Sequence, residues 1–172
     1  KPNTAFFEAL GPEGMRALHQ VIAAVPAGIP VILDAKRGDI ASTAEAYARS
    51  AYEILGAHAL TASPYLGKDS LDPFINDPVQ GVFLLCKTSN PGSADLQDLW
   101  VAGPQDSPQI CTLYEQVALL ASRWNTNHNL GLVVGATHPD ALRRVRMLAP
   151  DLWILTPGVG AQGGELDAAL DA

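Results

Sequence analysis

Strand-length apolar runs recur along this chain at residues 28–33, 58–63, 81–88, 131–137 and 152–156, and segments of helical periodicity separate most of them. Across 12–25 the spacing sets Met15, Leu18, Val21 and Ile22 on one face; across 40–55 it does the same for Ile40, Ala44, Tyr47, Ala51 and Ile54. Helices are also predicted over 111–124 and 139–148, the last with Thr137 or His138 as N-cap and Pro139 in its first turn. A shorter, weaker helix fits 69–76. Residues 90–108, rich in Gly, Pro, Ser and Asp, make the longest irregular stretch, and loops of that length in compact domains are often functional.

Strands alternating with helices imply parallel strands joined by right-handed crossovers, an α/β fold. Lys1 stands where a further strand would end, which brings the visible strand positions to six. A closed (β/α)8 TIM-type barrel typically takes ~250 residues, with about 200 at the lower end. The 172 residues therefore fit either an open sheet or such a barrel lacking about one strand at each end, and the pattern alone leaves both standing. With no linker or composition break, residues 1–172 are expected to form one domain, trimmed at both termini.

Composition narrows the class. At 48% hydrophobic and 17% charged, the chain suits a soluble globular domain with a substantial core. No apolar run approaches the roughly 20 residues that span a bilayer, and Lys1-Pro2-Asn3 does not open a secretory leader, so no membrane partner is expected. Cys86 and Cys111 fit reduced thiols in or near the core of a cytoplasmic protein. The net charge of −7 argues against a nucleic acid polymer, which needs clustered Lys and Arg, but leaves room for a small anionic substrate. His19, His58, His128 and His138 lack metal-ligand spacing and read as surface, strand-start and cap residues, so no metal is expected. Trp100, Trp124 and Trp153 read as packing residues.

The most informative chemistry is Asp34-Ala-Lys36-Arg-Gly-Asp39-Ile40, placed after an uncharged strand and before a helix. Active sites of α/β proteins lie at that end of a strand. Nearby negative charge favours the ammonium form of a lysine, which makes Lys36 a proton donor rather than a nucleophile. Asp39 as a helix cap and an exposed Asp34–Lys36 pair are plainer explanations of the residues singly. They do not explain three charges gathered behind one apolar strand. A second motif is Pro157-Gly-Val-Gly160-Ala-Gln162-Gly163-Gly164, where Gly160 and Gly163 would let backbone amides approach a ligand. If Lys1 ends a second strand, this loop follows the seventh, where barrels commonly bind phosphate. Lys87-Thr-Ser89-Asn90-Pro-Gly could present a hydroxyl and an amide to a polar ring, although Asn-Pro-Gly alone is ordinary turn chemistry, as is Ser63-Pro64-Tyr65.

Taken together and in this order, Asp34-x-Lys36-x-x-Asp39-Ile40, Ser89-Asn90-Pro91-Gly92 and the 157–164 loop resemble the orotidine 5′-phosphate decarboxylase family, as does the opening Lys1-Pro2-Asn3-Thr4-Ala5-Phe6-Phe7-Glu8 of its longer bacterial branch. The resemblance implies a (β/α)8 barrel acting as a cytoplasmic homodimer. It implies conversion of orotidine monophosphate to uridine monophosphate and CO2 in pyrimidine biosynthesis, without metal or organic cofactor. By the same resemblance Lys1, Asp34, Lys36 and Asp39 form an alternating charged array, with Lys36 protonating C6 of the pyrimidine. Asp39, Ile40 and Thr43 are lent across the dimer interface, Ser89 reads the ring, and Gln162 bridges ring and phosphate. The family's first-strand aspartate and last-strand arginine have no counterpart, so a trimmed segment is expected that is not a competent enzyme alone. Two other classes fit parts of the pattern: a metal-using sugar-phosphate decarboxylase or aldolase of the same superfamily, and a non-catalytic nucleotide-binding or dimerisation barrel. The retained charge array speaks against the second, because desolvating it would bring a mere binding module nothing. A Schiff-base aldolase is disfavoured by the acidic flanks of Lys36.

Overall fold

The computed structural model describes residues 1–103, 110–160 and 163–171. They form two compact units, Lys1–Phe83 and Leu84–Ala172. The first contains α1 (Thr4–Glu8), α2 (Gly11–Ala23), β1 (Ile32–Arg37), α3 (Ala41–Arg49) running on into a π-helical turn (Ser50–Ile54), β2 (Ala59–Ala62), α4 (Asp72–Ile75) and the start of β3 (Gly81–Lys87). The order of strands there is β1-β2-β3, with β1 and β2 parallel. Asn3 bridges Asp34 in the parallel sense, and the Asp34 amide donates to the Pro2 carbonyl at 2.9 Å. The N-terminal residues thus lie beside β1 as a strand end would, as the position of Lys1 implied.

The first strand is displaced from its predicted place. Gly28 is left-handed (φ +90°), the Ile29 amide closes a turn onto Pro26, and Pro30 has no amide to give, so pairing begins only beyond them. It continues through Arg37, which puts Asp34 and Lys36 inside the strand rather than behind it. Leu33 pairs with Leu60 and Arg37 with Ala62, leaving a bulge on β1 in which Lys36 takes φ +49°. The Thr61 hydroxyl accepts the amides of Ala35 and Lys36 across that bulge, at 3.1 and 3.0 Å.

The helical faces also shift. In α2, Leu18 and Ile22 are buried as expected, whereas Val21 is half exposed. In α3 the buried set is Ala44, Ala48, Ala51, Tyr52 and Leu55, not Tyr47 and Ile54. The π-turn advances the register after Arg49, so that consecutive Ala51 and Tyr52 both face inward and Ile54 and Ile40 remain exposed. The Tyr52 hydroxyl donates to the carbonyls of Phe74 and Gly81 at 3.3 and 3.2 Å, which pins α4 and the start of β3. Helix 69–76 is shorter than predicted.

The second unit contains the end of β3, a 3-10 turn (Pro91–Ser93), α5 (Ala94–Gln97), β4 (Trp100–Ala102), β5 (Ile110–Thr112), α6 (Leu113–Trp124), β6 (Leu130–Val134), α7 (Pro139–Leu148), β7 (Trp153–Leu155) and α8 (Leu166–Leu170). Its strand order is β3-β6-β7, with β6 and β7 parallel and all five β6 residues buried, as befits a central strand. The predicted irregular stretch is structured where it is described: β4 and β5 form an antiparallel ribbon, and residues 104–108 of that stretch lie outside the described residues. Three-residue strands are too short to register as a period. Helix α6 starts at Leu113 because Thr112 and Glu115 make a reciprocal capping box, leaving Cys111 in β5. The Arg144 guanidinium donates to Glu115 at 2.5 Å and ties α7 to α6.

Cys86 and Cys111 are free, buried thiols. Two of the tryptophans depart from expectation: Trp100 and Trp153 are 72% and 76% exposed, while Trp124 is half-buried. Among the described residues no helix is long and apolar enough to cross a membrane. The chain is an α/β protein built from strand–helix repeats, with β1 and β2, and β6 and β7, paired in parallel.

Phe74 is fully buried on α4, and Val79 is 81% exposed. Phe74→Ala is expected to lower unfolding stability by about 3–5 kcal/mol, and Val79→Ala by less than about 0.5 kcal/mol, in urea titrations followed by circular dichroism.

Candidate functional site

In the first unit the charges gather on one carboxylate. Asp34 Oδ1 accepts from Lys36 Nζ at 2.6 Å and from Thr61 Oγ1 at 3.0 Å. Asp34 Oδ2 accepts from Lys1 Nζ at 2.6 Å and from Asn3 Nδ2 at 3.3 Å. A carboxylate offers about four lone-pair directions, so this one is saturated. The Thr4 hydroxyl adds a bond to the Asp34 carbonyl at 3.4 Å. The Asp34 side chain is 10% exposed, against 37% for Lys1 and 49% for Lys36. The carboxylate is therefore the buried floor of the cluster, and the two ammonium groups are its open face.

Burial pushes the Asp34 carboxyl up, but hydrogen bonds and charge from Lys1 and Lys36 outweigh it and hold the group at about 2. Each ammonium carries three protons and, among the described residues, spends one on Asp34, which leaves donors for a ligand on both. What such a cluster can do is bind a negatively charged or acceptor-rich group and deliver a proton to it.

Asp39 does not complete the array within its own chain. Its Oδ1 accepts from the Ile40 amide at 2.8 Å, and among the described residues it makes no ion pair with Lys36. Helix α3 begins one residue later than Ile40, which is its N-cap and 58% exposed; Thr43 is exposed on the first turn. Ile40 and Thr43 are exposed and Asp39 is half-buried.

The second unit holds the other candidates. Ser89 follows β3 with its backbone against Gly135: a Cβ added there would meet Ser89 Cβ at 3.0 Å and its Cα and N at 3.1 Å. The Gly135 amide donates to the Lys87 carbonyl at 2.7 Å, and the Ala136 amide to the Pro157 carbonyl at 2.8 Å. Gly164 packs so tightly on Ala136 that a Cβ would lie 2.5 Å from Ala136 Cβ. The ends of β3, β6 and β7 thereby meet, with Ser89 and the 157–164 loop on the same side. Gly160 and Gly163 have positive φ and open space where a Cβ would be, so backbone conformation rather than close approach calls for glycine at those two positions. Their amides donate within the loop, to Gly164 and Gly160. Gln162 lies outside the described residues.

Sequence reasoning missed Thr61, Asn3 and Thr4 as partners of Asp34. The signal for Thr61 was present, a hydroxyl inside an otherwise apolar strand all of whose residues are buried. Asn3 has two tasks: its Oδ1 caps α1 at the Ala5 amide while its Nδ2 reaches Asp34. Among the described residues no group of three or more His, Cys, Asp or Glu side chains could hold a metal ion.

The family whose sequence pattern matches, over residues 1–170, is described as the orotidine 5′-phosphate decarboxylase / HUMPS family. The chain is 56% identical over 173 residues to the orotidine 5′-phosphate decarboxylase of Roseiflexus sp. (strain RS-1), covering 100% of this chain and 61% of that protein. It superposes on Leishmania donovani UMP synthase with a TM-score of 0.92 at 63% identity, covering 99% of this chain and 37% of that one. For Leishmania donovani OMP decarboxylase the TM-score is 0.89 at 60% identity, covering 99% and 64%. The chain spans about three fifths (61%) of the length of the curated relatives it matches.

A carboxyl at about 2 when folded and near 3.8 when unfolded stabilises the folded state above the unfolded value. That contribution, about 2 kcal/mol, fades as pH falls from about 4 through about 2. Asp34→Asn is expected to destabilise the protein at pH 6 and progressively less toward pH 2, in urea titrations across that range. A penalty that stays constant with pH would contradict the assignment.

Proposed function

The chain belongs to the orotidine 5′-phosphate decarboxylase / HUMPS family, and from that premise we propose that the protein converts orotidine 5′-monophosphate to UMP and CO2 in cytoplasmic pyrimidine biosynthesis, without cofactor. The observation that carries this reading is the saturated Asp34 carboxylate with Lys1 and Lys36 closed onto it at 2.6 Å each. In the reaction the C6–carboxyl bond breaks, CO2 leaves, and the electron pair stays on C6 in the plane of the ring, poorly delocalised. A nearby cation stabilises that pair as it forms, and a proton from Lys36 Nζ completes the product. Lys1 and Asp34 orient the donor. The Asp34 ion pair also opposes the neutral amine a Schiff-base mechanism needs.

Ser89 reads the pyrimidine. Gly160, Gly163 and Gln162 belong to the loop that receives the phosphate, whose binding energy positions the ring. The working unit is a homodimer in which Asp39, with Ile40 and Thr43, serves the neighbouring site. Two features support this: among the described residues Asp39 makes no ion pair with Lys1 or Lys36, and two ammonium groups against one carboxylate leave each cluster an excess positive charge that a second aspartate would balance.

Lys36→Ala is expected to lower UMP formation from orotidine 5′-monophosphate at least about 10²- to 10⁴-fold, while UMP binding measured by calorimetry changes little. Turnover retained at the unsubstituted rate would refute the role. Mixing inactive Lys36→Ala with inactive Asp39→Ala chains is expected to restore about a quarter of full activity, since half of randomly paired dimers would hold one intact site. No recovery after subunit exchange would remove the shared-site reading.

A further inference from the structure

The loop that carries Ser89 has its own fastening, in the second unit and apart from the groups assigned above. Lys87, the last residue of β3, is almost completely buried, its side chain 4% exposed, yet it carries an ammonium group. A buried charge is tolerated only with partners. Among the described residues Lys87 Nζ has two: the Asp98 carboxylate at 2.7 Å, and the Tyr114 ring face, 5.9 Å to its centroid. Asp98 directly follows α5, so this ion pair joins the two ends of the segment that contains Ser89.

A second set of bonds runs beside it. The Thr88 amide donates to Gln97 Oε1 at 2.9 Å, and Gln97 Nε2 donates back to Thr88 Oγ1 at 2.9 Å. The Thr88 hydroxyl donates to Asn90 Oδ1 at 2.6 Å. The Thr88 carbonyl accepts from His138 Nε2 at 3.1 Å, so that nitrogen carries the proton. Residues 88–98 are therefore closed at the base by Lys87–Asp98 and Thr88–Gln97, with Ser89 immediately inside the closure and held against Gly135.

We infer that Asp98 and Gln97, acting on Lys87 and Thr88, are positioning residues for Ser89: they set where its hydroxyl stands and hence how well the site holds its ligand. This inference rests on the proposed function for the identity of that ligand, but the clasp itself does not. Opening the clasp frees the chain on either side of Ser89 without touching the charges of the first unit. The effect belongs to binding shared by ground and transition states, which moves KM more than kcat.

The test uses Asp98→Ala and Gln97→Ala, each alone and combined with Ser89→Ala. Gln97→Ala leaves no buried charge unpaired, so it remains informative if Asp98→Ala folds poorly. Each single variant is expected to raise KM for orotidine 5′-monophosphate about tenfold with kcat changed less than about twofold, and to add almost nothing in the Ser89→Ala background. Asp98→Glu should recover most of the loss. An equal KM increase with and without Ser89, or an unchanged KM in both single variants, would overturn the inference. Hydrogen exchange separates it from the functional reading. Gln97→Ala must strip protection from the Thr88 amide whatever the substrate, and retained protection overturns the clasp. Absence of UMP formation by the unsubstituted full-length protein that carries this chain overturns the functional reading and, with it, the role given to Ser89.

Discussion

Everything in the first unit's site depends on one carboxylate having no spare acceptor. Asp34 receives four donors from three separate places: the N-terminal residues Lys1 and Asn3, its own strand through Lys36, and β2 through Thr61. Two ammonium groups would not otherwise share such a space. Like charges held by the two oxygens of one carboxylate repel each other, the more so as the site loses water. Asp34 offsets that repulsion and fixes both lysines by hydrogen bonds short enough to set their direction. The same residue joins the N-terminal strand position to β1 through its backbone amide, so charge and chain path are settled together.

The second unit solves its positioning problem by subtraction. Gly135 and Gly164 are the places where a side chain would collide with neighbouring chain, and their lack of one lets the turn after β6 receive Ser89 on one flank and the 157–164 loop on the other. Backbone bonds from Gly135 to Lys87 and from Ala136 to Pro157 then lock that approach. Where the first cluster is held by charge, this one is held by close backbone packing. Its tolerance to substitution is correspondingly a matter of volume rather than of pH.

Much of this was legible in the chain. The alternation of apolar runs and helical periods located β2, β3, β7 and α7 to within about two residues and β6 to within three, because each buries a face wide enough to leave a period. The start and end of β1 were not legible, since they depend on Pro30 and on the hydroxyl of Thr61, distant in sequence. The π-turn after Arg49 altered which side chains of that helix face inward, and nothing local announces it. At the site, residue types revealed Asp34 and Lys36 and the family resemblance added Lys1, whereas Asn3, Thr61 and the Lys87–Asp98 pair needed the fold. Hydrogen-bond partners brought together across 11 residues, as in Lys87–Asp98, or across 27 and 31, as for Thr61 and Asn3 with Asp34, leave no spacing to read.

The saturation of Asp34 also bears on how a decarboxylation there would be driven. A carboxylate bare toward the substrate would repel the departing carboxyl group, and the ground state would carry strain. Asp34 is not bare: both oxygens are engaged, it lies beneath two half-exposed ammonium groups, and those groups together exceed its charge. A ligand entering from the open face meets donors first. The cluster within one chain is therefore arranged to attract negative charge, and its advantage grows as charge moves from a carboxylate shared with solvent onto a ring carbon beside Lys36. That favours stabilisation of the developing carbanion as the larger contribution, with repulsion left to a second carboxylate, Asp39, whose Oδ1 accepts from the Ile40 amide.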